Sequence, residues 1–280
     1  MAVKDKAREF EYTLDDFNFL RKLSNQHSGI QVPDDKFDMF YSRLSKRVRL
    51  LGFSRFKEYC SYLQDHPDQE FTEFINAVTT NLTSFFREKH HFEYVTQKLL
   101  PELLKKNQAQ KQIRVWSAGC STGEEPYSLA ISLIENVPSD WDIKILATDL
   151  DTNVLSAAAE GVYPVDRIAS ISEAHLHNWF QKGSGAHAHK VRVKPQLRDI
   201  IYFKQLNLMQ EWPMKGYFDF IFCRNVLIYF DRTTKERLAN RYAGLLREGS
   251  CLFIGHSESL HQLDTPFSLI GNTIYKKTRV

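Results

Sequence analysis

The stretch Trp116-Ser-Ala-Gly-Cys-Ser-Thr-Gly-Glu-Glu-Pro-Tyr-Ser128 decides how this chain is read. A short apolar run leaves through a turn bearing Gly119 and Gly123 and enters a helical segment. Open α/β sheets bind ligands where strand carboxyl ends meet such helix starts, and the two glycines permit positive φ and close backbone approach. The turn resembles a phosphate cradle, yet it places Glu124 and Glu125 where the phosphate would sit. A like charge about 4 Å from a bound pyrophosphate would cost roughly 4 kcal/mol at intermediate dielectric. Ser121 and Glu124 fit a capping box, S-x-x-E, which would give Glu124 a structural task. Glu125 is harder to absorb that way, although the helix dipole favours acids anywhere in a first turn.

A nucleotide without phosphate suits these acids better, and S-adenosylmethionine is one. Its ribose hydroxyls want a carboxylate acceptor, and its sulfonium tolerates nearby anions. The next strand, Ile145-Leu-Ala-Thr-Asp-Leu-Asp151, ends in an acid about 26 residues past the glycine turn, the place where dinucleotide and methyltransferase folds bind ribose. Asp149 is the expected ribose or adenosine ligand and Asp151 the expected cap of the following helix.

Outward from this centre the chain shows two grammars. Residues before about 90 read as helices: one from Thr13, with Thr13 as N-cap; one opened by Pro33 and Asp34 and closed at Gly52; one from Ser54; and one from Phe71. From about residue 113, short apolar runs begin at Ile113, Ile143, Phe218 and Cys251, and they alternate with helical segments from Pro126, Asn153 and Thr233. That alternation predicts a parallel sheet with helices on both faces. The segment from Phe267 reads as a hairpin closing the sheet edge, and Lys182–Pro195 as a small exposed hairpin that breaks the βα rhythm.

Composition is that of a globular protein, with 42% hydrophobic and 25% charged residues in 280. A net charge of +3 argues against nucleic acid as partner. The cysteines at 60, 120, 223 and 251 lack CxxC spacing and read as reduced thiols. The N-terminus has no signal-peptide pattern, and no apolar run reaches the roughly 18 residues of a membrane span. A soluble, cytoplasmic monomer without membrane insertion is expected.

Three stretches, NLTSFFREKHHF from Asn81, WSAGCSTGEEPYS from Trp116 and FDFIFCRNVLIYFD from Phe218, with HSES from His256, closely resemble the chemoreceptor glutamate methyltransferases of the CheR family. The resemblance runs from near residue 14 to near 277. It implies an α/β protein: an all-helical N-terminal receptor-docking domain (1–80), a linker and helix (81–112), and a Rossmann-like S-adenosylmethionine methyltransferase sheet (113–280) with a small inserted antiparallel β-subdomain at about 165–200. It implies S-adenosylmethionine as cofactor, S-adenosylhomocysteine as product, and a cofactor pocket drawn from Asn81, Thr83, Arg87, Gly119, Glu125, Asp149, Asn207, Leu208, Arg224 and Asn225. Asn81 and Thr83 also read as a helix cap, and Phe85 and Phe86 as core.

Methyl transfer to a glutamate needs alignment more than acid–base help, because a carboxyl with a pKa near 4.3 is already ionised at pH 7. Orientation alone is worth on the order of 7–11 kcal/mol. Arg87, which can hold a carboxylate, and Tyr229, whose hydroxyl can orient the acceptor, are the expected catalytic residues; packing in the core is the alternative for Tyr229. The implied partner is the cytoplasmic domain of chemoreceptors, gripped on its acidic methylation helices by Arg43, Lys46, Arg47 and Arg49. A receptor C-terminal tail would add as a strand to the hairpin bearing Lys182, Gly183, Gly185 and Arg192, although His189 stands where tail-binding relatives tend to have a third glycine. A catalytically silent adaptor of the same fold is the competing reading. No metal is expected, since no carboxylate or cysteine cluster joins His90, His91, His175, His177, His187 or His189 in sequence.

Overall fold

Thr13 starts the helical part of the chain as its sequence predicts. In the computed structural model its hydroxyl accepts from the Asp16 N–H at 3.2 Å, and the Asp16 carboxylate accepts from the Thr13 N–H at 2.8 Å. This reciprocal cap sets α1 (Leu14–Ser28). A single 3-10 turn after Pro33 leads into α2 (Phe37–Leu50), which stops before Gly52 at φ +75°. α3 (Phe56–Asp65) begins two residues later than predicted, and α4 begins four residues earlier than predicted, at Pro67, and runs to Val78. Proline suits that first position because its missing N–H would be unsatisfied anyway. The four helices share an apolar core that includes Phe17, Leu20, Phe40, Leu44, Tyr59 and Phe74; each such side chain contributes roughly 1.5–3 kcal/mol on burial.

Residues 8–278 are described; residues 1–7, which carry part of the reading of the N-terminus, lie outside them. The chain divides into two compact units, Met1–Thr80 and Asn81–Val280. In the second, α5 (Lys89–Tyr94) passes through a π turn at Val95–Leu99 into α6 (Leu100–Lys106). Ten strands follow: β1 (Gln112–Ala118), β2 (Asp142–Asp149), β3 (Val162–Pro164), β4 (Phe180–Lys182), β5 (Lys190–Val193), β6 (Ile201–Gln205), β7 (Phe218–Cys223), β8 (Leu246–Ile254), β9 (Phe267–Gly271) and β10 (Ile274–Lys277). α7 (Glu124–Asn136), α8 (Thr152–Glu160) and α11 (Arg232–Gly244) connect parallel strands; α9 (Glu173–Trp179) and α10 (Pro195–Arg198) are short.

The main sheet has the order β6-β2-β1-β7-β8-β10-β9. Its first five strands are parallel, and the C-terminal hairpin adds two antiparallel strands at the edge. The sheet is thus mixed, and β6 is a parallel strand beyond the four predicted. The central strands are nearly continuous apolar runs because helices cover both of their faces. β1 pairs β2 on one side and β7 on the other, so the strand order reverses at β1. A crevice opens at such a switch point, beyond the strand carboxyl ends. A three-stranded antiparallel sheet, β3-β5-β4, forms the insert.

Candidate functional site

The turn after β1 is shaped by two contacts that glycine alone tolerates. Gly119 has φ +86°, and a Cβ there would stand 2.3 Å from Val226 Cγ2; Gly123 has φ +96°, and a Cβ would stand 2.9 Å from both Ala158 Cβ and the Tyr163 hydroxyl. Gly123 itself is the N-cap of α7, so the Ser121–Glu124 capping box does not form. The physical reason is local: Ser121 sits at φ +48° and its hydroxyl donates to the Asn81 carbonyl at 3.2 Å. Glu124 accepts from the Thr122 hydroxyl at 2.7 Å and lies 3.7 Å from Arg167.

Asp149 ends β2 beside this turn. Its Oδ2 accepts from the Ser121 N–H at 2.8 Å and its Oδ1 from the Asp151 N–H at 3.1 Å. Burial pushes its pKa up to about 6, against the pull of those two N–H donors. Asp151 caps α8 as predicted, accepting from the N–H groups of Asn153 and Val154; its second oxygen accepts from Asn81 Nδ2 at 2.8 Å. Asn81 therefore anchors the segment before α5 onto both the β1 turn and the β2 end. Thr83 is half-buried, and its carbonyl accepts from Arg167 at 3.2 Å.

Glu125 is buried on the first turn of α7. Its Oε1 accepts from the Ser117 hydroxyl at 2.7 Å, and its Oε2 pairs with Arg224 Nη1 at 3.1 Å. Desolvation raises its pKa, with the Arg224 cation as the principal opposing force. Arg224, buried at the end of β7, also donates to the Arg87 carbonyl and lies 3.4 Å from Glu88. Arg87 is half-buried, and among the described residues its guanidinium bonds only the Leu82 carbonyl, at 3.0 Å. Phe85 is core as predicted, whereas Phe86 is only partly buried and stacks on His175.

Two further loops complete this end of the sheet. After β6, Asn207 is buried and its Oδ1 accepts from the Met209 N–H at 2.9 Å; the Leu208 carbonyl accepts from Arg241 at 2.6 Å. After β7, Asn225 takes φ +60°, and a 3-10 turn at Leu227–Tyr229 follows, in which Tyr229 is half-buried. Sequence reasoning missed what holds this loop. Glu258, within the HSES motif, is buried and accepts from the N–H groups of Asn225 at 2.9 Å, Ile228 at 3.0 Å and Gly255. Burial raises its pKa despite these donors. Gly255 is obligatory here, since a Cβ would fall 2.4 Å from Asn225 Nδ2. A lone acid after a strand gives no signal of that role in sequence.

Asn81, Arg87, Gly119, Glu125, Asp149, Arg224 and Asn225 thus belong to one linked set at the carboxyl ends of β1, β2 and β7. Two anchored carboxylates, Asp149 and Glu125, stand at this end of the sheet, where a pyrophosphate would need cations.

The basic residues of α2 are used differently from their sequence expectation. Arg47 is bonded to the buried Glu70 at 2.8 and 2.5 Å, and Glu70 also accepts from the Tyr59 hydroxyl. Arg43 donates to the Val78 and Thr79 carbonyls, both at 2.7 Å. Both side chains brace α4 against α2 because a helix end and a buried acid there need donors. Arg49, paired with Glu9, and Lys46 are exposed. In the insert, Gly183 is fixed by sterics, since a Cβ would stand 2.1 Å from the His187 carbonyl oxygen; Gly185 has φ +56°. Arg192 projects from the central strand β5, exposed, between Val162 and Gln181, and Lys182 ends β4, also exposed.

Comparison with known proteins agrees with this geometry. Residues 81–276 match the family described as CheR methyltransferase, SAM binding domain, and residues 15–79 match CheR methyltransferase, all-alpha domain. The chain is 43% identical over 271 residues to chemotaxis protein methyltransferase 2 of Pseudomonas aeruginosa, covering 96% of this chain and 95% of that protein. It is 43% identical to the chemotaxis protein methyltransferase of Salmonella typhimurium (94% and 90% covered) and 41% identical to that of Escherichia coli (92% and 89%).

Proposed function

The chain belongs to the CheR family of chemotaxis protein methyltransferases, and from that premise we propose that it esterifies glutamate side chains of chemoreceptors with a methyl group from S-adenosylmethionine. The observation that carries this reading is the pair of anchored acids beside the β1 turn, Asp149 at the carboxyl end of β2 and Glu125 on the first turn of α7. Bound S-adenosylmethionine supplies its methyl as a sulfonium, an electrophile that needs no acid–base activation. Asp149 accepts from the ribose hydroxyls, its own oxygens being held in place by Ser121 and Asp151 N–H groups. Glu125, held by Arg224, and Asn81, Thr83, Gly119, Asn207, Leu208 and Asn225 would hold the rest of the cofactor.

Arg87 holds the acceptor glutamate by charge-assisted hydrogen bonds. Tyr229, on the loop tied down by Glu258, directs one carboxylate oxygen in line with the sulfur–methyl bond. An O–CH3 bond forms as the S–CH3 bond breaks, the electron pair staying on sulfur. S-adenosylhomocysteine and a glutamyl methyl ester result, and no proton moves. These two side chains act by positioning, so Tyr229→Phe lowers kcat while leaving affinity for S-adenosylhomocysteine unchanged.

The partner is the cytoplasmic part of a chemoreceptor. Lys46 and Arg49 are the exposed cations of α2 that meet its acidic methylation helices, while Arg43 and Arg47 keep α2 in place. A receptor tail pairs along β4, one of the two edge strands of the insert and a neighbour of the β5 residue Arg192, which takes its carboxylate. The cytoplasm is the compartment, consistent with four buried, free cysteines; among the described residues no helix is long and apolar enough to cross a membrane. The test is incubation with methyl-labelled S-adenosylmethionine and chemoreceptor-bearing membranes. Label released as methanol by mild base is expected. Intact S-adenosylhomocysteine binding without any base-labile label would instead make the protein an adaptor.

A further inference from the structure

The sequence sets Glu88 two residues before His90 and three before His91, and the fold turns all three toward one point. Glu88, His90 and His91 each present one ligand atom, and the three atoms lie within 4.8 Å of one another. Glu88 has φ +55°, a left-handed conformation that costs a non-glycine residue about 1–2 kcal/mol. It directly precedes α5, the helix that carries both imidazoles.

His91 is fully buried. Its Nε2 lies 2.9 Å from the Asn272 carbonyl oxygen and therefore donates to it, with Thr273 Oγ1 at 3.1 Å. That bond fixes the tautomer and leaves the Nδ1 lone pair facing Glu88 Oε2 at 3.5 Å. Two acceptors thus confront each other without a hydrogen between them. His91 Nδ1, Glu88 Oε2 and His90 Nε2 are all out of solvent and have no hydrogen-bond partner, a cost of about 1–3 kcal/mol for each such group. Arg224 lies 3.4 Å from Glu88 Oε2 and offsets part of that charge, but it gives His91 Nδ1 nothing to bind.

We propose that Glu88, His90 and His91 form a binding site for a divalent cation of the zinc, cobalt or nickel type. Two imidazoles and one carboxylate are the donor set these borderline ions select. With bonds of about 2.0–2.1 Å, neighbouring ligand atoms on a tetrahedral centre stand roughly 3.3 Å apart, close to the 3.5 Å between His91 Nδ1 and Glu88 Oε2. The Asn272 carbonyl is the outer partner that ligating imidazoles ordinarily hold through their second nitrogen. The other oxygen of Glu88 accepts from the His256 N–H at 3.2 Å and lies 3.0 Å from His256 Nδ1, which leaves Oε2 for the ion. An open groove of about 470 Å³, lined by His90, His256, Glu258 and Thr273 among others, borders the cluster on the His90 side. Arg224 keeps its bonds to Glu125 and the Arg87 carbonyl, so the site stands beside the carboxylates assigned to the cofactor and does not use them.

The full-length protein, stripped with chelator, is titrated with Co2+ followed by visible absorption and with Zn2+ by calorimetry. The expected result is a single saturable event with the absorption of low-coordinate Co2+. It weakens at least about tenfold in His90→Ala and in Glu88→Gln, and it is unchanged in the control His187→Ala/His189→Ala, which removes two exposed imidazoles of the insert. His90 is only half-buried, so its variant keeps the fold, which circular dichroism verifies. Absence of saturable binding, affinity unchanged in both site variants, or loss of binding in the control overturns the proposal.

Discussion

Replacing Arg224 by Met removes the one cation that Glu125 and Glu88 share. The side chains of Arg224, Glu125 and Glu88 are 2%, 11% and 9% exposed, so water does little to replace the lost partner. Breaking a buried pair in this way costs about 3–5 kcal/mol. The cost has a ceiling, because the orphaned carboxyl escapes by taking up a proton. For Glu125, with an unfolded pKa near 4.3, that ceiling is about 5 kcal/mol at pH 8 and about 2 kcal/mol at pH 6. The sign follows from linkage: Glu125 already has a raised pKa in the folded state, and losing Arg224 raises it further. The folded variant then binds protons more tightly than the unfolded chain, and its deficit relative to wild type shrinks as pH falls. All four tryptophans, Trp116, Trp141, Trp179 and Trp212, lie in the second unit, so urea unfolding followed by tryptophan fluorescence reports that unit alone. A loss below about 1 kcal/mol at pH 8, or a loss that stays the same at pH 6, would refute the reasoning. Arg224→Met/Glu125→Gln should regain the part of the deficit that comes from Glu125, leaving only Glu88 without its cation.

Asp149 titrates near 6 in the free protein, and ribose hydroxyls require its ionised form. Affinity for S-adenosylhomocysteine should therefore fall about tenfold between pH 7 and pH 5 by calorimetry. Over the same window the free protein gains stability from this group, because its folded pKa lies above the unfolded value, so the loss is not acid unfolding. Arg47→Ala strands the buried Glu70 and should cost about 3–5 kcal/mol in the first unit, seen by circular dichroism while tryptophan fluorescence is unmoved. Lys46→Ala should change stability by less than about 0.5 kcal/mol yet lower the methylation rate on receptor membranes. Gly119→Ala combines a left-handed backbone with a contact of 2.3 Å to Val226; it should lose about 2–4 kcal/mol and weaken cofactor binding in calorimetry.

Legibility in the sequence followed local chemistry. The runs at Ile113, Ile143, Phe218 and Cys251 became β1, β2, β7 and β8 because the parts of these strands that helices cover are largely apolar. β6 escaped notice because it lies at the sheet edge and alternates, with Tyr202 and Lys204 exposed. β3 is three residues long and contains Pro164, too little for a periodic signal. Caps whose partner lies within three residues, at Thr13 and Asp151, were readable; the Ser121–Glu124 box was not, since Gly123 took the cap. At the site, spacing to a glycine turn singles out Asp149, and the family resemblance adds Glu125. The long-range bonds that build the site leave no such signal: Arg224 reaches Glu125 across 99 positions, and Glu258 holds the loop after β7 by reaching the Asn225 N–H across 33. The Glu88–His91 approach depends on a positive φ at Glu88, which no residue type announces.

Calorimetric titration of S-adenosylhomocysteine into wild type and Asp149→Ala, each checked for native tryptophan fluorescence, is the most direct test that these strand ends form the cofactor site. Wild type should bind, and the variant should lose about a hundredfold in affinity, the worth of charge-assisted hydrogen bonds to a ribose diol. Equal affinity in a folded variant, or no binding by wild type, would contradict the assignment of the crevice at β1 to the cofactor.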